Sequence, residues 1–404
     1  MNKNFIDTIY LFSCGAKGTN PLKDCYSFNY KEIYKIAKEQ GVWETVFLSY
    51  IKIYNKHPDI VPEKTFERLH SEFIAKCGVQ YRRYALMHEV LKKLNEKGIE
   101  TCILKGESVS RFYHTPIARI SGDFDILIDP EKLELCLSVL RENGFNTGEM
   151  VFESHQIECV HPVIGLVEIH IMMYGKKTED VCFNNEVKYN EPYINVESED
   201  GTIYQTLGIT DNFLYLLLHF MKHFLSAGVG IRQLFDVLIY VEKNYNLIDW
   251  ERANKSISNL GFKKMFDCMI AIGVKYFMFP ENLIKVQDAD ETLVGKIFDD
   301  MMLGGVFGHN DAKRQGFYDL YLNERCKKIK NKSYEAYKNK RKLKRLFPNR
   351  EFMSVNFPYV TKSKLLLPVA WIHRILKGIL PKKTRTVSME HNERLKLLQE
   401  LEMI

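Results

Sequence analysis

The segment that most constrains this chain is residues 103–129, ILKGESVSRFYHTPIARISGDFDILID. An apolar run stops at Lys105-Gly106, a short polar and aromatic stretch follows, and Gly122-Asp123-Phe124-Asp125 opens a second apolar run. From Asp123 to Ile126 the alternation has period two, the repeat of a strand, so the Asp123 and Asp125 side chains leave by one face. Two neighbouring carboxylates repel unless a cation lies between them. The pair is therefore a candidate seat for Mg²⁺, a hard ion that takes oxygen ligands and shares them with substrate phosphates.

A lone D-x-D is weak evidence, since most such pairs sit in surface turns. Three neighbouring features raise its value. The pair begins an apolar strand instead of lying in a loop. A Lys-Gly turn leading into a helix precedes it, an arrangement that presents backbone N–H groups and a cation to a phosphate. A third acid, Glu168, interrupts another apolar strand in Val167-Glu168-Ile169-His170. A carboxylate among Val, Ile and Leu costs several kcal/mol to bury without a partner, and a metal shared with the other two acids would supply one.

The rest of the chain frames this segment. From Lys31 to about Lys97 the pattern is helical, with Leu69, Phe73, Cys77, Tyr81, Tyr84, Leu86 and Val90 at helical spacing and Gly98 as a stop. A compact α/β section follows: strand Glu100–Leu104, helix Glu107–Tyr113, strand Ile120–Ile128 and a helix from Pro130 to Asn143-Gly144. Two further runs, near Gln156–Val160 and Leu166–Ile171, read as a hairpin across the Pro162…Gly165 turn. After about Gln205 helices return, over Asp211–Phe224, Ile231–Lys243, the Leu247–Met278 region and Asp290–Leu303, with a last one at His391–Leu401. The expected architecture is α+β, a small mixed β-sheet core with flanking helices in a mainly helical chain. Its expected divisions are an N-terminal helical region 1–98, an α/β core 99–205, a helical domain 206–310 and a basic helical extension 311–404.

The order LKG, short helix, R-x-x-GD-x-D-x-L, then E-x-H on a later strand resembles the uncharacterised nucleotidyltransferases of the DNA-polymerase-β-like superfamily. Leu217-Leu218-His219 with His223, then Arg232…Asp236, resemble that family's helical half, and Phe347-Pro348 and Leu367-Pro368 its tail. The resemblance implies metal-assisted transfer of a nucleoside monophosphate from an NTP to an unknown hydroxyl acceptor, with release of pyrophosphate. It implies that Asp123, Asp125 and Glu168 hold Mg²⁺ or Mn²⁺ and that Glu168 can take the acceptor's proton. Gly106 and Ser108 would contact the β- and γ-phosphates, while Lys105 and Arg119 would neutralise charge during transfer. For Arg119 the alternative is an ion pair closing the strand's edge; for Lys105 it is a solvated strand end. One departure stands out: the superfamily's turn is usually Gly-Gly or Gly-Ser, whereas here Glu107 follows Gly106. An acid there repels a triphosphate unless it points outward. Two other classes remain: a metal-dependent glycosyltransferase using D-x-D, and a non-catalytic nucleotide-binding scaffold.

Composition narrows the setting. The chain has 404 residues, 46% hydrophobic and 27% charged, ordinary for a globular protein. No signal peptide or transmembrane span is evident, and nine scattered cysteines without a C-x-x-C pair suit a reducing compartment, hence the cytoplasm. The net charge of +6 comes from Tyr321–Arg350, with twelve Lys or Arg against two Glu, which leaves the remainder slightly acidic. Within that stretch, residues 325–345 offer a surface for nucleic acid or anionic lipid, although a solvated helix face is the commoner meaning. His219 and His223 have metal-ligand spacing on a helix, but no H-E-x-x-H, and read more simply as polar residues bonded within the bundle, with Asp236 as a partner. His170 lies on the same side of its strand as Glu168; His155 is isolated. Leu365–Leu380 is apolar but carries His373, Arg374 and Lys377, and is expected to pack on the helical half.

Overall fold

The computed structural model describes residues 2–149, 155–174, 183, 186–198, 201–226, 228–286, 289–305, 317–318, 320–321, 347, 350, 353, 357–361, 363–379 and 389–404. Three helices open it: α1 (Lys3–Lys17), α2 (Tyr30–Glu39) and α3 (Trp43–Tyr54). The helical pattern after Pro62 is one long helix, α4 (Glu63–Glu96). It buries Leu69, Phe73, Tyr84, Met87, Leu91 and Leu94 along one stripe. It stops at Gly98, whose φ of 71° only glycine adopts without strain. There Gly98 N–H donates to Asn95 O at 2.9 Å and Ile99 N–H to Leu94 O at 3.0 Å, which satisfies the last carbonyls of the helix.

The α/β section is β1 (Thr101–Leu104), α5 (Glu107–Ser110), β2 (Asp123–Ile128), α6 (Leu133–Glu142), β3 (Asn146–Thr147), β4 (Gln156–His161), β5 (Gly165–His170), β6 (Ile194–Glu197) and β7 (Ile203–Thr206). These strands form one seven-stranded sheet in the order β3-β4-β5-β2-β1-β7-β6. It is mixed: β1 runs antiparallel to β2, whereas β2 is parallel to β5 and β1 to β7. The α+β expectation therefore holds, with the sheet embedded among described residues that are mainly helical. Helix α5 is shorter than the sequence suggests, β2 begins at Asp123 instead of Ile120, and β6 and β7 are elements the sequence reading passed over.

Beyond the sheet come α7 (Ile209–Ser226), α8 (Ile231–Asn244), α9 (Trp250–Asn259), α10 (Lys263–Tyr276) and α11 (Glu291–Gly304). Each sheet face has its own core. Ile103, Phe124, Ile126, Val167 and Ile169 pack with α4 and α6. Cys102, Leu104 and Leu127 face the other way, into a core shared by α1–α3 and α7–α11. The two Asp side chains of β2 alternate with Phe124, so they belong to this second face.

The described side chains of helix α12 (Leu367–Ile379) pack in a cluster of their own, where the sequence suggests docking on the helical half. Its buried Ala370 packs in a separate cluster with Met353, Phe357 and Val360, because Val369 and Ile372 point outward and stay exposed. Residues 325–345 lie outside the described residues. Helix α13 (Met389–Glu400) completes the chain. Among the described residues no helix is long and apolar enough to cross a membrane.

Candidate functional site

Strand register assembles the acids. Asp125 stands opposite Glu168 in the parallel β2–β5 pair, and Glu168 stands opposite Glu158 in the antiparallel β4–β5 pair. Three carboxylates thus share one row and one face of the sheet, where like charges directly opposite destabilise pairing unless something neutralises them. His170, two residues after Glu168, projects the same way. One ligand atom from each of Asp125, Glu168 and His170 lies within 4.8 Å of the others. His170 Nε2 is 3.0 Å from Asp125 Oδ1 and 3.6 Å from Glu168 Oε2. The His155 ring lies 5.4 Å from that of His170.

The turn after β1 supplies a cation. Lys105 Nζ sits 2.8 Å from Asp125 Oδ1 and 4.0 Å from Asp123 Oδ2. The ammonium thus stands between the two Asp carboxylates, where their mutual repulsion calls for positive charge. Its backbone is held at a φ of 32°, a left-handed value unusual for a lysine, and Gly106 follows at 47°. Strain of this kind gathers at functional sites. Ser108 N–H donates to Lys105 O at 2.8 Å and closes the turn, while the buried Ser108 Oγ has no hydrogen-bond partner.

Electrostatics follow from this geometry. Burial alone would raise the Asp125 carboxyl, but Lys105 and the His170 hydrogen bond outweigh it and hold the group well below the ordinary carboxylate range. Burial pulls the Lys105 ammonium down, and Asp125 and Asp123 reverse that, leaving it raised. His170 behaves alike: burial opposes its charge, and its bonds to Asp125 and Glu168 raise it. Asp123 is the open member of the set, its side chain 38% exposed against 3% for Asp125.

Three carboxylates with an imidazole are a hard donor set that suits Mg²⁺ and, through the histidine nitrogen, Mn²⁺. The imidazole turns its Nε2 toward Asp125 and Glu168, while the buried Nδ1 has no hydrogen-bond partner. The residues present fit a divalent cation.

A family model described as an uncharacterised nucleotidyltransferase matches residues 26–277, which span the sheet, the acids and the helices over them. The chain belongs to that family. No curated protein matches it. As a member of the nucleotidyltransferase family, the chain is expected to act on a nucleotide, and the Asp125–Glu168–His170 cluster lies within the matched residues.

The other residues singled out divide into two groups. Arg119 is not open to the acid row. Its Nε and Nη2 donate to Asp236 at 2.9 and 2.6 Å, and Tyr113 Oη adds a bond of 2.8 Å to the same carboxylate. That takes Asp236 away from His219 and His223. The two histidines instead lie against each other, ring centroids 4.4 Å apart, on the helix that faces the acids. Burial and the nearby Lys105 charge push His223 down to about 4 and His219 well below its ordinary value. Glu107 does point away from the acids: its carboxylate meets His88 Nε2 at 2.7 Å, on the other side of α5.

Sequence reading missed Arg83. From α4 it donates to Ser121 O, Gly122 O and Ile164 O at 2.6, 2.9 and 2.6 Å. One guanidinium thereby fixes both the start of β2 and the turn before β5, the two strands that carry the acids. Glu158 and Tyr215 were missed as well. Tyr215, His219 and His223 form a stripe at helical spacing within Leu214–Phe224, where Lys222 is the one other polar residue, and that interruption was the available signal.

Proposed function

We propose that this protein is a metal-dependent nucleotidyltransferase that moves a nucleoside monophosphate from an NTP to a hydroxyl-bearing acceptor and releases pyrophosphate. The observation that carries the reading is the convergence of Asp125, Glu168 and His170 on one point of the sheet, with Asp123 open beside them. Asp123, Asp125 and Glu168 are the residues assigned to Mg²⁺ or Mn²⁺, which when bound aligns the α-phosphate and neutralises the leaving pyrophosphate. Glu168 is assigned the proton of the acceptor hydroxyl, a role supported by its being the more exposed of the two paired acids. Gly106 and Ser108 are assigned to the β- and γ-phosphates, and the unpartnered Ser108 Oγ supports that role. Lys105 supplies positive charge at the acids. Arg119, its charge shared with Asp236, contributes little to phosphate binding and chiefly holds the loop before β2. The described cysteines are free thiols, in keeping with a cytoplasmic setting.

The test is incubation with each α-labelled NTP, Mg²⁺ or Mn²⁺ and a cell extract, following the label and the released pyrophosphate. Asp125→Ala should lower transfer by more than about 100-fold, since even the outer partners of metal ligands are worth about 10–100-fold. A glycosyltransferase would leave the NTPs unused and release a nucleoside diphosphate from a nucleotide sugar supplied in their place. A second measurement guards against an unlucky acceptor: NTP with Mn²⁺ should raise the Tm of the wild type far more than that of Asp123→Ala/Asp125→Ala. Equal shifts would remove the metal assignment.

A further inference from the structure

The opposite side of α5 carries a cleft that the acid row does not use. It has a volume of about 340 Å³ and is lined by α4, α5, the Glu197-Ser198 end of β6 and Tyr204 of β7. Tyr204 and Tyr84 belong to the core beneath the sheet face that bears Phe124, so the cleft and the two Asp side chains of β2 are on opposite faces. Its volume is that of a small-ligand site.

Its polar groups are arranged for a ligand. Glu107, 6% exposed, pairs with His88 through Oε1, while its Oε2 is buried and has no hydrogen-bond partner. A buried carboxylate oxygen without a partner is costly, and a donor arriving from the cleft would satisfy it. The buried Arg111 Nε is likewise unpartnered. The walls are flat. The His88 ring lies nearly parallel to those of Tyr84 and Tyr204, at interplanar angles of 10° and 19° and centroid distances of 6.3 and 6.2 Å. At the mouth stands Tyr81, 62% exposed. A cleft with planar aromatic walls, one anionic acceptor at its floor and a guanidinium beside it suits a flat ring that carries an N–H group, with a polar substituent toward the opening.

We propose that this cleft is a second ligand site, for a planar nitrogen heterocycle of nucleoside size whose N–H donates to Glu107 Oε2. The site is independent of the acid row and of the reaction assigned to it. The experiment titrates the full chain, in excess EDTA, with adenosine, guanosine, cytidine and uridine by isothermal calorimetry. Without metal or phosphates the acid row offers a nucleoside little, so binding under these conditions reports the cleft. At least one nucleoside should bind. Glu107→Gln, which exchanges a carboxylate oxygen for an N–H₂ donor, should weaken it by about tenfold or more. Tyr81→Ala, an exposed change that leaves the core intact, should weaken it by roughly fivefold or more through lost stacking. Asp123→Asn should leave the affinity unchanged. The proposal is overturned if none of the four nucleosides binds, if the affinity is unchanged in Glu107→Gln, or if binding is lost in Asp123→Asn. Should Glu107→Gln fail to fold, Tyr81→Ala decides alone, and unchanged affinity there overturns it.

Discussion

At the scale of single residues, the acid pair was legible because a strand's period of two is short and the Asp-Phe-Asp-Ile run displays it directly. Glu168 was legible as a charge amid Val and Ile. Hidden was the cation between the acids. Nothing in the order Leu-Lys-Gly says that the lysine folds back over Asp125, because that depends on a left-handed backbone at Lys105, a conformation that sequence pattern does not advertise. This placement makes Lys105 the resident counter-ion of a site that a divalent ion would also occupy. Replacing it leaves the buried Asp125 with only His170 beside it, and removing one partner of a buried pair costs about 3–5 kcal/mol, less here because His170 remains and Lys105 is partly exposed. Lys105→Met should therefore melt at a lower temperature than the wild type in chelator, yet gain more on addition of Mn²⁺. Scanning fluorimetry with and without metal checks this. Equal metal-induced gains in the two proteins would deny Lys105 that role.

At the scale of elements, the long amphipathic helix α4 and the β4–β5 hairpin were legible from periodicity and from a glycine in the turn. Strands β6 and β7 were not, since each has only four residues and in β7 the apolar Ile203 is exposed while the polar Thr206 is buried. The contacts that lock elements together were invisible for a different reason. The Arg119–Asp236 pair joins positions 117 residues apart, tying the loop before β2 to α8. Arg119→Met should cost about 3–5 kcal/mol by stranding Asp236, and Arg119→Met/Asp236→Leu should recover part of that, with the Tyr113 hydroxyl left unpaired; urea denaturation of the three proteins measures both. Helix α7 makes a second prediction. His223 faces Lys105 from the β1 turn, Asp125 from β2 and Lys222 on its own helix, and its neighbour His219 is depressed too. With a folded value of about 4 against an ordinary 6.5, His223 costs nothing above neutrality, where both states are uncharged. As pH falls through 6.5 the unfolded chain takes up the proton first, so stability drops from there until about pH 4. At pH 5 this one group should cost about 2 kcal/mol, and His223→Gln should flatten that part of the stability curve. An unchanged slope in the variant would place the titration elsewhere.

At the scale of the whole molecule, the sequence suggested a helical region ending near residue 98 and a separate helical domain beginning near 206. The apolar contacts run across those boundaries: one core includes Phe12 of α1, Phe47 of α3, Phe235 of α8 and Phe277 just after α10. Phe12 meets Phe235 edge-on at 4.9 Å, and Ser49 Oγ donates to Leu11 O at 2.6 Å. Periodicity identifies which face of a helix is apolar, but not which distant helix covers it, so shared cores of this kind stay hidden in a single sequence. Helix α1 lies outside the residues matched by the family model, yet it is built into this core. A Cβ at Gly15 would collide with the Thr45 carbonyl oxygen, stand 3.0 Å from the carbonyl carbon and 3.3 Å from Ser49 Oγ. The obstacle is backbone inside α3 and cannot rotate away. Glycine in a helix interior is ordinarily a weakness, and Gly→Ala there normally stabilises by about 0.5–1 kcal/mol. Gly15→Ala should do the reverse, forcing α1 off α3 at a cost of about 1–3 kcal/mol or more. Because the core is shared, the loss should appear as one cooperative transition shifted as a whole, not as early melting of an N-terminal part. Calorimetry with fluorescence of single-tryptophan variants that keep Trp43 on α3 or Trp250 on α9 separates the outcomes: coincident shifts support a single core, and a shift confined to the Trp43 signal would restore the boundary near residue 98.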